Sequence, residues 1–135
     1  MNMRIEYKEL DIDFVAEFED KLCLLYMTSG DGKTLLFRTF NKALYEDWHS
    51  NYYYYDYTAK DKILGIIDKC TNPNNIIIFD NADLYTDSVL KVLEVSKATI
   101  VVITKSLDWL GIYEESFGHY YIEHTSDCVA MRKVK

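Results

Sequence analysis

Residues 21–34, KLCLLYMTSGDGKT, constrain this chain more than any other stretch. An apolar run, Leu22 to Tyr26, enters a glycine-bearing loop that ends in Gly-Lys-Thr, and an amphipathic run follows at once. A strand, a tight turn and a helix start in this order bring unsatisfied backbone N–H groups to the strand's carboxyl end. Gly30 and Gly32 permit the close backbone approach and unusual dihedrals that let a loop aim several N–H groups at one anion. Ser29 and Asp31 complete the loop, Lys33 adds a mobile positive charge, and Thr34 offers a hydroxyl suited to magnesium. The spacing approaches G-x-x-x-x-G-K-[ST], with Met27 where the leading glycine belongs. Residues 29–34 therefore read as a polyphosphate cradle; the alternative is a strand-to-helix turn that binds nothing.

The rest of the chain alternates around that segment. Met3, Ile5 and Tyr7, then Ile12 and Phe14, suggest two short strands or a hairpin in residues 1–20. Phe37, Phe40, Leu44 and Trp48 recur at helical spacing and predict a helix from about Lys33 to Trp48. The run NYYYYDY, Asn51 to Tyr57, has high strand propensity and reads as an edge strand with its hydroxyls reaching water. Thr58 and Asp61 have capping-box-like spacing before a helical face of Ile63, Ile66, Ile67 and Cys70. The turn TNPNN, holding the only proline, stops that helix. Ile76 to Phe79 is a compact apolar strand ending on Asp80, with Asn81 next and Asp83 three residues on. A short helix through Val89, Leu90 and Leu93 leads to a buried strand, Thr99 to Ile103, that ends on Thr104. Tyr120 to His124 and Cys128 to Val134 read as two strands about a Thr-Ser-Asp turn.

Such alternation predicts one α/β domain spanning residues 1–135, with a parallel sheet and helices on both faces. Ligands of such sheets bind beyond the strand C-termini, where the loop, Asp80 and Thr104 all fall.

Composition narrows the functions. The net charge of −7 argues against direct nucleic-acid binding, which rests on neutralising phosphates. Seven carboxylates lie in the first twenty residues, a solvated face or a docking face for a basic partner. No apolar run approaches a membrane span, and no signal-like pattern opens the chain. Cys23, Cys70 and Cys128 are widely spaced and odd in number, which fits reduced thiols in a cytoplasm. His49, His119 and His124 have no metal-ligand spacing.

At this point the chain resembles the P-loop NTPases. The loop resembles their Walker A segment, and IIIFD, Ile76 to Asp80, resembles the Walker B strand, whose aspartate holds magnesium. Thr104 is similar to the polar sensor residue of the branch that includes AAA-type and ABC-type ATPases. The resemblance implies a three-layer, mostly parallel sheet in the order 5-1-4-3-2, counted from the loop strand, and ATP or GTP with Mg2+ as ligands. It implies Ser29, Gly30, Asp31, Gly32, Lys33 and Thr34 as nucleotide-binding positions, Thr34 and Asp80 at the metal, and Asn81, Asp83 and Thr104 as the catalytic set. Asn81 stands where the family carries a catalytic glutamate, and an amide cannot take a proton from water. A weak ATPase or nucleotide-dependent switch with a protein partner, a pseudo-NTPase serving as an interaction module, and a small kinase are the readings left open.

Overall fold

The computed structural model describes residues 3–26, 33–46 and 51–134, with the backbone alone at 3, 33–34 and 43–46. The strands are β1 (Met3–Glu9), β2 (Ile12–Phe18), β3 (Leu22–Tyr26), β4 (Tyr52–Tyr55), β5 (Ile76–Phe79), β6 (Thr99–Thr104), β7 (Gly118–His124) and β8 (Cys128–Lys133). The helices are α1 (Lys33–Glu46), α2 (Ile63–Cys70) and α3 (Thr86–Val95), with 3-10 turns at Tyr57–Asp61, Ala82–Leu84 and Asp108–Ser116.

The strands form one sheet in the order β1-β2-β8-β7-β3-β6-β5-β4. This corrects the expected fold class. The sheet has eight strands and is mixed, not the mostly parallel three-layer P-loop sheet of order 5-1-4-3-2. β1 with β2 and β7 with β8 are antiparallel hairpins, and β2 joins β8 in parallel. Sequence pattern marks each hairpin, but nothing local encodes that one will add to the other and extend the sheet. From β7 through β3, β6 and β5 to β4 the pairings are parallel, so Thr99–Thr104 separates the loop strand from Ile76–Phe79.

The parallel strands carry few polar residues because both their faces are covered. β5 and β6 are buried at every position. On one face, Leu36, Phe37 and Phe40 of α1 pack on Phe14 and Phe18 of β2, Leu25 of β3, Ile78 of β5 and Met131 of β8. On the other, Ile66 of α2 and Val89 and Val92 of α3 pack on Leu24, Ile77, Phe79, Ile100 and Val102. Burying each such side chain contributes about 1.5–3 kcal/mol.

α1 touches both β2 and β4. In a flat sheet those strands stand six spacings apart, about 29 Å, whereas a 14-residue helix is only about 21 Å long. The sheet therefore curls around α1, and helices cover both faces of its parallel half only. The outer face of the hairpin half carries Arg4, Glu6, Lys8, Asp13, Glu17, Glu123 and Arg132, linked by ion pairs of Arg4 with Glu6 and Glu17, Lys8 with Asp13, and Arg132 with Glu17 and Glu123. No helix among the described residues is long and apolar enough to cross a membrane.

Candidate functional site

Asp80 ends β5 with only 3% of its surface exposed. Its backbone is fixed from two sides. The Asp80 N–H donates to the Tyr55 carbonyl (2.8 Å), and the buried Tyr85 hydroxyl donates to the Asp80 carbonyl (2.5 Å). Side chains alternate along a strand, and Ile76 and Ile78 face α1, so the Asp80 carboxylate faces α1 as well. There the Tyr54 hydroxyl donates to Oδ2. Oδ1 is buried and has no hydrogen-bond partner among the described residues. Nearly all buried polar atoms are paired, and an orphaned carboxylate oxygen is a costly exception.

The four tyrosines of β4 divide by parity. Tyr52 and Tyr54 face α1, while Tyr53 and Tyr55 pack on the α2 and α3 side. The Tyr52 hydroxyl donates to the Phe37 carbonyl in the middle of α1 (3.0 Å), which ties the helix to the sheet edge. Lys69 lies over the Tyr53 ring, 4.6 Å from its centroid, and donates to the Tyr55 hydroxyl (3.3 Å). β4 is the expected edge strand, but its hydroxyls serve the interior rather than water. Burial raises the Tyr54 phenol pKa, the bond to Asp80 raises it further, and Arg38 opposes both. Arg38 of α1 is thus the positive group that acts on the hydroxyl bonded to Asp80. Burial likewise pushes Tyr52 and Tyr85 up, so both hydroxyls remain donors at neutral pH.

Ser29, Gly30, Asp31 and Gly32 lie outside the described residues, as does Met27. Lys33 and Thr34 are the first two residues of α1, placed by their backbone. α1 follows β3, and β3 and β5 flank β6, so the helix start and Asp80 share the carboxyl edge of the parallel half.

The expected catalytic residues divide. Asn81 is half-buried in the left-handed region, at φ 52° and ψ 44°, a conformation asparagine tolerates better than most residues. Thr104 alternates with Val102 and so faces the α2 and α3 side, where its hydroxyl donates to the Ser106 carbonyl (2.8 Å) and accepts from the Trp109 indole (3.1 Å). Asp83 joins this corner, its Oδ1 accepting from the Lys105 N–H at 3.2 Å and lying 3.4 Å from the Thr104 hydroxyl. The structure thus brings Asp83 to Thr104, on the face of the sheet opposite the Asp80 carboxylate.

Tyr54 and Arg38 are the residues that reading the sequence missed at this site. Parity could have found Tyr54: its register partner is Ile78, two residues before Asp80 and on the same face. No three His, Cys, Asp or Glu side chains among the described residues converge as a metal cage. Magnesium needs none, since it commonly takes one or two carboxylates and completes its shell with phosphates and water. A depression of about 580 Å³ lies elsewhere, on the hairpin half between Arg4, Lys8, Asp13, Cys128 and Arg132. Its arginines are already ion-paired.

Comparison with protein-family models, with curated proteins and with solved structures finds no match to this chain.

Proposed function

We propose that this chain is a nucleotide-binding domain that holds ATP or GTP with Mg2+ at the carboxyl ends of β3 and β5 and hydrolyses it slowly. The observation that carries the reading is the orphaned Oδ1 of Asp80, buried beside the helix that opens with Lys33 and Thr34. A cation is the natural partner for such an oxygen, and a polyphosphate on the preceding loop is the natural carrier of that cation. In this reading Asp80 and Thr34 hold the metal. Ser29, Gly30, Asp31 and Gly32 shape the phosphate cradle, and Lys33 takes the outer phosphates. Bound magnesium neutralises the phosphate charge. Slow turnover follows from Asn81, which can orient a water but not deprotonate it, and from Asp83, which is held with Thr104 on the other face. Three free cysteines, two of them buried, fit a reducing cytoplasm. A protein partner would supply the missing catalytic group.

One observation favours the second reading, a pseudo-NTPase that serves as an interaction module: Tyr54 already gives Asp80 one internal partner. Calorimetric titration with ATP and GTP, with and without magnesium, separates the two. Magnesium-dependent binding lost in Lys33→Ala supports nucleotide binding. Silence at millimolar concentration with either nucleotide gives the chain to the second reading.

A further inference from the structure

We propose that Arg38 is a phosphate-reading residue of this site, its guanidinium taking the terminal phosphate of a magnesium-bound nucleoside triphosphate while Tyr54 holds Asp80 toward the metal. The inference rests on the nucleotide-binding reading and adds two residues to it.

Three features of the described residues converge. The first is the charge left over at the site. Arg4 and Arg132 are ion-paired on the hairpin half, whereas Arg38 is exposed and has no ion pair among the described residues. A buried carboxylate oxygen and a guanidinium, the one without a hydrogen-bond partner and the other without a counter-ion among the described residues, meet at one phenol, that of Tyr54. A lone cation would serve Asp80 and repel Arg38, and a lone anion would do the reverse. A metal-phosphate pair serves both, with the metal toward Asp80 and a phosphate oxygen toward the guanidinium fork.

The second feature is the placement of α1. The Tyr52 hydroxyl holds the Phe37 carbonyl, one residue before Arg38, and Phe37 is fully buried. The helix can neither slide along β4 nor turn about its axis without breaking that bond, so Arg38 is delivered beside Tyr54. The third is helix geometry. Position 38 lies four residues after position 34, on the same side of α1, and helical side chains lean toward the N-terminus. Arg38 therefore reaches back toward the end of the helix where the phosphates would sit. Placing it on the metal side of the chain of phosphates assigns it the terminal one.

The Tyr54 hydroxyl has a positioning role. It occupies Oδ2 and leaves Oδ1 as the free oxygen, so the carboxylate meets the metal through one atom in a fixed orientation. Partners of this kind typically change metal affinity about 10- to 100-fold when removed.

The test is calorimetric titration of the full chain with MgATP and MgADP, using wild type, Arg38→Ala, Arg38→Lys, Tyr54→Phe and Lys33→Ala. Arg38→Ala is expected to weaken MgATP about 10- to 100-fold and MgADP by less than about threefold, the difference being one charge-assisted contact. Arg38→Lys should recover part of the loss, since it keeps the charge without the fork. Tyr54→Phe should weaken MgATP but leave metal-free ATP unchanged. A purely structural role for Arg38 would not separate ATP from ADP. If Arg38→Ala and Arg38→Lys bind both nucleotides as wild type does, or lose both equally, while Lys33→Ala abolishes binding, this inference fails and the nucleotide-binding reading stands. If wild type binds neither nucleotide, both fail.

Discussion

The Tyr54 hydroxyl donates to Oδ2 of Asp80, and Oδ1 of the same carboxylate is buried without a partner among the described residues. Half of the group is satisfied by the fold and half is not. A sequence selected for stability alone would place an amide or an apolar residue there. Sites that bind ligands commonly retain such a cost.

The first prediction concerns that cost in the metal-free protein. Asp80→Asn should raise the urea midpoint, because a neutral amide at a 3%-exposed position is cheaper to bury than a carboxylate with one unpaired oxygen. Tyr54→Phe should lower stability by about 1–3 kcal/mol, since it removes the one hydrogen bond that the Asp80 carboxylate has among the described residues. Equal midpoints for wild type and both variants would show that Oδ1 has a partner in solution.

A second prediction concerns the β1–β2 hairpin. Glu9 pairs with Ile12, which leaves a two-residue loop, and both loop residues have positive φ, 49° at Leu10 and 63° at Asp11. Two-residue hairpins of this hand favour Asn-Gly, and leucine there pays a steric penalty. Leu10 is 90% exposed, so its removal sacrifices no packing. Replacing Leu10-Asp11 by Asn-Gly should stabilise the chain by about 1–2 kcal/mol in chemical denaturation. A destabilised double variant would mean that the leucine is covered in solution.

The third concerns pH. Asp20 lies at the foot of β3, with Lys133 Nζ 2.9 Å and the Tyr120 hydroxyl 2.8 Å from its Oδ2. Burial alone would raise the carboxyl, but hydrogen bonds from Lys133 and Tyr120 outweigh it and hold the pKa below the ordinary 3.8. A depressed folded pKa stabilises the fold above that ordinary value, and the contribution is lost as pH falls through the folded one. Lys133 is raised above its ordinary 10.5 by its bond to Asp20, so its contribution holds below 10.5 and is lost as pH rises through the folded value. Asp20→Asn should flatten both arms of a stability profile from pH 2 to 11. Gly118→Ala should do the same while costing about 1–3 kcal/mol, because a Cβ there would meet Asp20 Oδ2 at 2.0 Å and drive it from the buried Tyr120 hydroxyl. An acid arm that survives Asp20→Asn belongs to other carboxylates.

A fourth prediction addresses Asn81. Its left-handed backbone suits asparagine or glycine, so Asn81→Glu should cost about 1–2 kcal/mol and Asn81→Gly very little. If position 81 faces the attacking water, the glutamate should raise phosphate release, since a positioned base adds about 100- to 10,000-fold. Release unchanged by Asn81→Glu would place the limiting deficit elsewhere.

Much of the fold was legible because its signals are local. The helical spacing of Phe37 and Phe40, the apolar runs of Leu22–Tyr26, Ile76–Phe79 and Thr99–Ile103, and the Thr125-Ser126-Asp127 turn each appear as elements near the expected bounds. The capping box expected at Thr58 and Asp61 does not form: Asp56 caps the 3-10 turn Tyr57–Asp61, accepting from the Thr58 N–H at 3.0 Å, and α2 starts at Ile63 with no side-chain cap. What was not legible is non-local. The pairing of Asp13–Ala16 with Cys128–Met131 joins strands more than a hundred residues apart, and it turns an expected parallel sheet into a mixed, curled one. At the site, Asp80 was visible as a carboxylate closing an apolar strand. Tyr54 was hidden in a run of identical residues, where only the register of β4 on β5 tells the interior hydroxyls from the rest.

The most direct test of the central claim is the magnesium dependence of ATP binding, measured by calorimetry in wild type and Asp80→Asn. If Asp80 Oδ1 awaits a nucleotide-borne cation, magnesium should tighten ATP binding to wild type by about 10- to 100-fold. Asp80→Asn should then bind ATP with the same weak affinity whether magnesium or a chelator is present. Full magnesium dependence in Asp80→Asn, or no binding by wild type at millimolar ATP, would contradict the account.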